Sequence, residues 1–379
     1  MRTCDILVIG GGIAGMSAAA ELADLGKVVL LEREAFPGSH STGRSAATFL
    51  QIYGPPTVRR LVRAGRDFLE NPPDGFCDHP ILSPRGLLQV ALPGHGAQLL
   101  SQLEADRAFA PELREISPEE ALEIVPILRP ERVEAAIYEP TCRDIDVDAL
   151  LQGYQRRFKA LGGSVETSAE VSALARQDGV WRVTMAAGAF EAPVVVNAAG
   201  AWADEIAGLA GLTPLGLVPK RRTAFTFDPP EGIATEAWPL TLESEETFYF
   251  KPDAGRLLGS PADATPVPPQ DVQPEEWDIA VGVDRIVTAT TLEIRRLAHT
   301  WAGLRTFAQD GVPVAGFDET CEGFFWLAGQ GGYGIKTAPA LSRLAAAAIG
   351  QGGFPEDLGT VGLTAADLAP GRLRSGATD

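Results

Sequence analysis

Short apolar runs near the start of the chain predict buried strands. The first, D-I-L-V-I-G at 5–10, precedes a small-residue stretch that suits a helix and ends at Gly26. The second, K-V-V-L-L-E-R-E at 27–34, has consecutive apolar residues, as is usual for a strand covered on both faces. This order predicts a β-α-β unit of about thirty residues.

The pattern then alternates between helix-like and strand-like stretches. Residues 55–79 predict a helix that breaks at its N-P-P triplet, and Asp146 is a suitable N-cap for another helix. Apolar runs on both sides of the turn pair Asp178-Gly179 predict a β-hairpin. The run P-V-V-V-N-A-A-G at 193–200 predicts a third buried strand.

Residues 220–296 have a different residue pattern, with strand-like stretches such as T-A-F-T-F and T-F-Y-F-K-P and a proline-rich loop at 266–274. They predict a separate, more antiparallel unit. The last third returns to an apolar strand, glycines and a helix. The predicted fold class is therefore α/β: a Rossmann-like nucleotide-binding domain of discontinuous segments, plus an α+β part with a mainly antiparallel sheet.

Composition narrows the possible partners. The chain has 379 residues, and its 50 acidic against 32 basic residues give a net charge of −18, which disfavours nucleic acid and anionic lipid surfaces. Its four cysteines and four histidines are scattered, which argues against a disulfide framework or a metal site. No apolar run approaches the roughly 18 residues of a membrane span. We expect a cytoplasmic protein without an integral membrane segment.

The first glycine-rich loop has the dinucleotide-binding fingerprint. Gly10, Gly12 and Gly15 form G-x-G-x-x-G between the first strand and the first helix, where they permit a tight turn, a close pyrophosphate and helix packing. Glu32 ends the second strand, where its carboxylate can accept hydrogen bonds from ribose hydroxyls. An acid at this position disfavours the 2′-phosphate of NADP.

The segment after Glu32 distinguishes FAD from NAD. Residues 33–47 form a loop of small and hydroxyl residues with Arg44, which suits the wrapping of a long cofactor. Here the chain resembles the glycine oxidase and D-amino acid oxidase group of flavoproteins, and most closely the bacterial D-arginine dehydrogenases. The matching stretches span nearly the whole sequence: V-I-G-G-G-I-A-G, L-E-R-E, S-T-G-R-S-A-A, N-P-P-D-G-F-C, D-I-D-V-D-A-L, V-V-N-A-A-G-A-W, K-R-R-T-A-F, F-Y-F-K-P-D-A-G, H-T-W-A-G-L-R and G-F-F-W-L-A-G-Q-G-G-Y-G-I.

The resemblance implies noncovalent FAD and oxidation of an amino acid at its Cα–N bond. We expect an FAD-binding domain of residues 1–80, 142–212 and 297–379, and a substrate-binding domain of residues 81–141 and 213–296. The residues expected to contact FAD are Gly10, Gly12, Ile13, Ala14, Gly15, Glu32, Arg33, Ser41, Thr42, Arg44, Ser45, Ala46, Ala47, Val171, Ala199, Gly200, Trp202, Gly303, Gly331, Gly332, Tyr333, Gly334, Ile335 and Lys336.

Such a reaction needs a group that holds the substrate carboxylate, and a bidentate guanidinium suits this task. The candidates are Arg222, in K-R-R-T-A-F-T-F, and Arg305, in T-W-A-G-L-R. Strand alternation places Arg221 and Arg222 on opposite faces, so only one of them points inward. The resemblance selects Arg222 and adds the other residues of the expected catalytic set, which are Arg305, Tyr53, Tyr249 and the backbone of Gly332.

The chain departs from its relatives around the substrate side chain. D-arginine dehydrogenases have a carboxylate in the strand after the S-P-R turn, and here Leu87 occupies the aligned position. A cationic side chain facing leucine would lose its ion pair and its hydration. A histidine that follows G-R-S-A-A in those relatives is also missing. An apolar pocket is predicted, formed by Thr48, Leu50, Leu87, Leu240 and Leu242, and with it a D-amino acid dehydrogenase or oxidase that prefers neutral or apolar side chains.

A second glycine-rich stretch, Gly331 to Gly334, precedes a helix expected to begin near Ile335. Its bare backbone suits close contact with the flavin ring, and the helix N-terminus can face the edge where negative charge develops. The electron acceptor stays open among a quinone, a carrier protein and oxygen. Two alternatives also stay open: the same fold acting on N-methyl amino acids, proline or 2-hydroxy acids, and a flavin-binding protein without turnover.

Overall fold

The computed structural model describes residues 2–374, and its helices follow the predicted pattern closely. The expected helix over 55–79 ends earlier, at Glu70, just before the N-P-P triplet. Asp146 caps its helix, because one carboxylate oxygen accepts the Ala149 N–H at 2.8 Å. The α-helices described are Ile13–Leu22, Pro56–Glu70, Gly96–Arg107, Pro118–Ile124, Val147–Ala160, Ala203–Leu209, Glu276–Ala289, Gly334–Ile349 and Glu356–Thr360, with 3₁₀ turns at Pro130–Arg132, Gly200–Trp202, Ala365–Asp367 and Pro370–Leu373.

A six-stranded sheet carries the nucleotide-binding pattern. Neighbouring strands run parallel except at one edge, where the last strand is antiparallel. The parallel arrangement confirms the predicted β-α-β unit and the third buried strand. Across the sheet the order is Ser164–Glu166, Val28–Leu31, Ile6–Ile9, Val194–Asn197, Phe324–Ala328 and Val314–Phe317.

Two helices that begin at glycine-rich loops pack against this sheet and each other. Ile13–Leu22 is buried along nearly its whole length, because Ala18, Ala19 and Ala20 let its neighbours approach closely. Gly334–Ile349 shares the same core cluster through residues such as Leu341. Each helix follows a strand of the parallel sheet, Ile6–Ile9 or Phe324–Ala328, so both helix N-termini lie at the carboxyl edge of the sheet.

A nine-stranded, mainly antiparallel sheet forms the second large unit. Its one parallel pair joins Leu240–Glu243 to Leu87–Ala91. The helix Glu276–Ala289, which the sequence pattern did not reveal, packs on this sheet through Ile286. The path of the sheet is Thr265–Pro266, Val218–Phe227, Arg256–Ser260, Tyr249–Asp253, Leu240–Glu243, Leu87–Ala91, Ala135–Glu139 and Arg114–Ile116, and Leu297–Phe307 also pairs with Val218–Phe227.

This last pairing bears on the division of the chain into two parts. Leu297–Phe307 is an antiparallel partner of Val218–Phe227 along its whole length, so it belongs to the large sheet. The sequence reading placed residues 297–379 with the FAD-binding segments. The pairing is the observation that bears on the boundary at residue 297, and the division of the chain into two domains stays a prediction with the boundaries given above.

Two small sheets complete the fold. Val171–Gln177 and Val180–Met185 form the predicted hairpin, with positive φ at both turn residues, 50° at Asp178 and 83° at Gly179. Strands Gly188–Ala192 and Arg2–Thr3 extend it to four strands, and a three-stranded sheet contains Thr48–Phe49, Arg143–Ile145 and Leu82–Pro84. Among the described helices, none combines the length and apolarity needed to cross a bilayer.

Candidate active site

A cavity of about 330 Å³ is lined by residues of both large sheets. At one end it meets the first glycine loop, and at the other it meets strands of the nine-stranded sheet. Most residues named from the sequence lie on its wall: Gly10, Gly12, Ile13, Ala14, Glu32, Arg33, Ser41, Thr42, Arg44, Ser45, Ala46, Ala47, Thr48, Leu50, Tyr53, Val171, Ala199, Gly200, Trp202, Arg222, Leu240, Leu242, Tyr249, Gly303, Arg305, Gly331, Gly332, Gly334, Ile335 and Lys336.

The first glycine loop has the geometry that the fingerprint requires. Gly10 has a φ of 109°, which side-chain-bearing residues rarely adopt. A Cβ on Gly15 would lie 1.9 Å from the Gly10 carbonyl oxygen, so Gly15 serves the close packing of helix on loop and does not line the cavity. The helix starts at Ile13, whose N–H donates to the Thr42 hydroxyl at 3.0 Å.

The Glu32 side chain is held in place by hydrogen bonds from the protein backbone alone. Its carboxylate accepts the N–H groups of Gly11 at 2.7 Å and Glu34 at 2.8 Å, and the residue is 7% exposed. Two acceptor bonds leave lone pairs free on a carboxylate. These are available for the ribose hydroxyls that the sequence pattern predicts, in an orientation fixed by the loop.

The segment 33–47 is tied to the large sheet by its hydroxyl and arginine side chains. Ser41 donates to the Leu304 carbonyl at 2.6 Å. The Arg44 guanidinium donates to the carbonyls of Val272 at 3.0 Å and Ala302 at 3.1 Å, and pairs with the Asp271 carboxylate. Arg44 therefore holds the loop against Leu297–Phe307, a role in positioning that the sequence did not reveal.

Arg222 and Arg305 reach the cavity from adjacent antiparallel strands, at register positions two residues apart. Neither guanidinium has a hydrogen-bond or ion-pair partner among the described residues, and Nε of Arg222 is buried without one. Burial and the charge of Arg305 together lower the pKa of Arg222. Two unpaired cations at one end of a cavity form a strong site for a carboxylate.

Arg221 shows the predicted alternation. Its side chain lies on the opposite face of the strand, where it pairs with Asp278 at 2.8 Å, Asp263 at 3.7 Å and the Glu275 carboxylate. Each of these carboxylates is supplied by the protein, so Arg221 is structural, whereas Arg222 lies on the cavity wall without such a partner.

A hydrogen bond that the sequence did not predict joins Tyr53 to Glu246. The Tyr53 hydroxyl donates to the Glu246 carboxylate at 3.1 Å, and burial raises the pKa of this phenol. Glu246 also lines the cavity, from the turn before Tyr249, and has a φ of 54°. Nothing in the local sequence separates Glu246 from its neighbour Glu245, because its position depends on a loop 193 residues away.

The second glycine loop lies against the arginine pair. Gly331 has a φ of 52°, and its N–H donates to the Thr306 carbonyl at 2.8 Å. A Cβ on Gly332 would come within 3.1 Å of Nη1 of Arg305. Tyr333 packs behind the wall, edge-on to Tyr53 with ring centroids 5.5 Å apart, so it does not line the cavity. The helix begins at Gly334, one residue before the expected start.

Leu87 does not line the cavity, which corrects one member of the predicted pocket. It is fully buried and packs in the same apolar cluster as Leu50, Leu240 and Leu242. Leu87 and Leu240 are register partners on neighbouring parallel strands, and the cavity is reached from Leu240. Leu87 therefore supports the apolar wall from behind.

No group of three or more His, Cys, Asp or Glu side chains in residues 2–374 is arranged to hold a metal ion. The parallel sheet, fingerprint loop, Glu32 and long cavity instead fit a dinucleotide cofactor. Together with the second sheet, they define the class of two-part nucleotide-dependent oxidoreductases.

Comparison with known proteins gives the family. Residues 5–348 match the DAO family, described as FAD dependent oxidoreductase, and the chain belongs to it. FAD is thus the cofactor, and its contacts with the glycine loops, Glu32 and the segment 33–47 stay a prediction that the cavity lining fits. The closer likeness to D-arginine dehydrogenases stays a prediction.

Individual relatives are distant but match over most of the chain. FAD-dependent oxidoreductase domain-containing protein 1 of Bos taurus is 27% identical over 92% of this chain and 82% of its own length. Glycine oxidase of Bacillus licheniformis is 25% identical over 90% of this chain and 92% of its own length. The alignment with the crystal structure of L-proline dehydrogenase from P. horikoshii covers 100% of both chains with a TM-score of 0.83 at 24% identity. This last likeness supports the fold.

Proposed function

We propose that this protein oxidises D-amino acids with neutral or apolar side chains at the Cα–N bond, giving 2-oxo acids and ammonia. The observation that carries the proposal is the pair of unpaired guanidiniums, Arg222 and Arg305, on the cavity wall. A charge-assisted bidentate clamp is what an α-carboxylate requires. The names of two relatives, glycine oxidase and L-proline dehydrogenase, indicate amino acids as the substrate class.

In this proposal the protein works mainly by positioning. Arg222 and Arg305 hold the carboxylate, Tyr249 and Tyr53 border it, and the Gly332 carbonyl accepts a hydrogen bond from the amine. Bound FAD would supply the acceptor for the hydride that leaves Cα. The imine product is then hydrolysed by water, so no nucleophilic side chain is needed.

The side-chain preference rests on the leucines of the cavity wall. Leu50, Leu240 and Leu242 line it, with Leu87 filling the space behind them. Glu246 is a carboxylate on the cavity wall, but its charge already acts on Arg305, whose pKa it and the nearby tyrosines raise against the effect of burial. An extended cationic side chain would therefore meet mostly leucine, lose hydration and share Glu246 with Arg305.

Anaerobic bleaching of the flavin absorbance across a substrate panel tests this proposal. We expect D-amino acids with neutral or apolar side chains to bleach the flavin fastest, and D-arginine and D-lysine to have a kcat/KM at least about tenfold lower, since burying a poorly paired charge costs more than about 1.4 kcal/mol. L-enantiomers serve as the matched control. D-arginine as the best substrate would contradict the pocket assignment, and bleaching only by L-amino acids would contradict the stereochemistry.

A second candidate is oxidation of a secondary amine such as an N-methyl amino acid or proline. It is favoured by the relative named dimethylglycine dehydrogenase, which is 24% identical over 93% of this chain, although the chain covers only 44% of that protein. The same carboxylate clamp serves both reactions. Product analysis separates them, because only the primary amine yields ammonia and only an N-methyl group yields formaldehyde.

A further inference from the structure

Lys336 places a buried amino group on the cavity wall, in the first turn of the helix Gly334–Ile349. The residue is 3% exposed, and Nζ donates to the Leu50 carbonyl at 2.8 Å. Nζ also lies 5.0 Å from the ring centroid of Tyr53 and 5.7 Å from that of Tyr333. The contact with Tyr53 places Lys336 at the arginine end of the cavity, where substrate and the reacting part of the cofactor must meet.

The surroundings of Lys336 disfavour a permanent positive charge. Among the described residues, no carboxylate lies within ion-pair distance of Nζ, and the helix N-terminus contributes further positive potential. Burial lowers the pKa of Lys336 to about 7, with Arg305 and Arg59 adding to the shift and Cys142 and Glu246 opposing it. The charged and titratable groups that face it are thus Arg59, Arg305, Cys142, Glu246, Tyr53 and Tyr333.

A purely structural role explains only part of this arrangement. A tie to the Leu50 carbonyl needs one N–H donor, which a neutral glutamine amide can supply. An amine has more donors than this single bond uses, and the remaining ones face aromatic rings and the cavity. A group that can gain charge is useful there only if the charge in the cavity changes during the reaction.

We propose that Lys336 takes up one proton when the bound flavin is reduced and releases it when the flavin is reoxidised. In the proposed reaction, the Cα–H leaves with its electron pair as a hydride to the flavin, which gains one negative charge. The substrate ammonium loses one proton, and the freed nitrogen lone pair forms the C=N bond. That proton is held at Nζ of Lys336, where its positive charge offsets the charge gained by the cofactor.

The pH dependence of the flavin midpoint potential tests this, with FAD-loaded protein reduced by dithionite in the presence of redox dyes. Each proton coupled to a two-electron reduction contributes about 30 mV per pH unit. Between about pH 7.5 and 9, Lys336 is mostly neutral before reduction, because its pKa is about 7. In this range the wild-type slope should be steeper by one proton than that of Lys336→Gln. Lys336→Arg keeps a charge that does not titrate, so it should show the shallower slope at a higher potential than Lys336→Gln.

Lys251 provides a matched control, because it is also a buried lysine but pairs with Asp144 at 2.7 Å and lies off this cavity. Lys251→Met should keep the wild-type slope. Equal slopes in wild type and Lys336→Gln would overturn the proposal. Since dithionite supplies the electrons, this result is independent of the proposed amino acid substrate, although the physiological source of the electrons rests on that proposed function.

A measurement without FAD keeps the proposal testable if a variant fails to bind the cofactor. The unfolded chain holds a proton on Lys336 up to its ordinary pKa of 10.5, whereas the folded apoprotein loses it above about 7. The free energy of unfolding should therefore contain a component that rises with pH across this window. Lys336→Gln should lack this component, and an unchanged pH profile in urea titrations would contradict the neutral amine.

Discussion

Arg222→Met should lower kcat/KM for every amino acid substrate by about 30- to 5000-fold. Truncating one partner of a buried, hydrogen-bonded charge pair costs about 2–5 kcal/mol, and each 1.36 kcal/mol is a factor of ten. Because the clamp holds the same carboxylate in all substrates, the loss should appear mainly in KM and be similar across side chains. Steady-state kinetics over the D-amino acid panel measures it, and Arg305→Met should behave in the same way.

Arg221→Met is the matched control, since this neighbouring arginine lies on the other face of the same strand. It pairs with Asp263, Asp278 and Glu275, so its loss should destabilise the fold while leaving KM within about twofold. Arg222→Met should have the opposite effect on apoprotein stability, because it removes an unpaired buried cation beside Arg305. Unchanged kinetics in Arg222→Met, or an equal rise of KM in Arg221→Met, would contradict the clamp.

This contrast between neighbouring arginines shows what the sequence could predict. Alternation along a strand fixes which side chains share a face, so Arg221 and Arg222 had to point apart. Local patterns likewise revealed both glycine loops, the parallel strands and Glu32, because each depends on residues close together in the chain. The family resemblance added Tyr53 and Tyr249, which no spacing rule selects.

What the sequence missed depends on distant packing. The helix Glu276–Ala289 is rich in β-branched residues and contains Gly282, which favours a strand reading. Its helical form is stabilised by contact with the sheet, where a Cβ on Gly282 would lie 2.8 Å from the Phe225 ring. The sequence could not show that Leu240 lines the cavity and Leu87 does not. The two leucines are partners on neighbouring strands, and only the three-dimensional packing decides which of them reaches the cavity.

The second large effect is expected on FAD binding, from a substitution in the first glycine loop. Two glycines of this loop serve different purposes. Gly15 is required by the fold itself, since a Cβ there would clash with the Gly10 backbone. Gly12 has a different environment: a Cβ there would meet only the Thr42 hydroxyl oxygen, at 3.3 Å. Its backbone is extended, with φ of −71° and ψ of −179°, a conformation that valine adopts without strain.

Gly12→Val should therefore leave the apoprotein folded and weaken FAD binding by about 10- to 150-fold. The added methyl groups keep the pyrophosphate from the helix N-terminus, and one lost hydrogen bond to a charged group costs about 1.5–3 kcal/mol. Flavin fluorescence titration of the apoprotein measures the Kd, and urea unfolding checks the fold. Gly208→Ala is the control, because Gly208 is an exposed position of the helix Ala203–Leu209 where an added Cβ meets nothing within 4 Å. It should leave the Kd unchanged and raise the stability slightly, since alanine favours a helix over glycine. An unchanged Kd in Gly12→Val would mean that the phosphates bind elsewhere. The assignment of Gly12 to cofactor binding and of Gly15 to helix packing would then be wrong, because it requires that only Gly12 faces the cofactor.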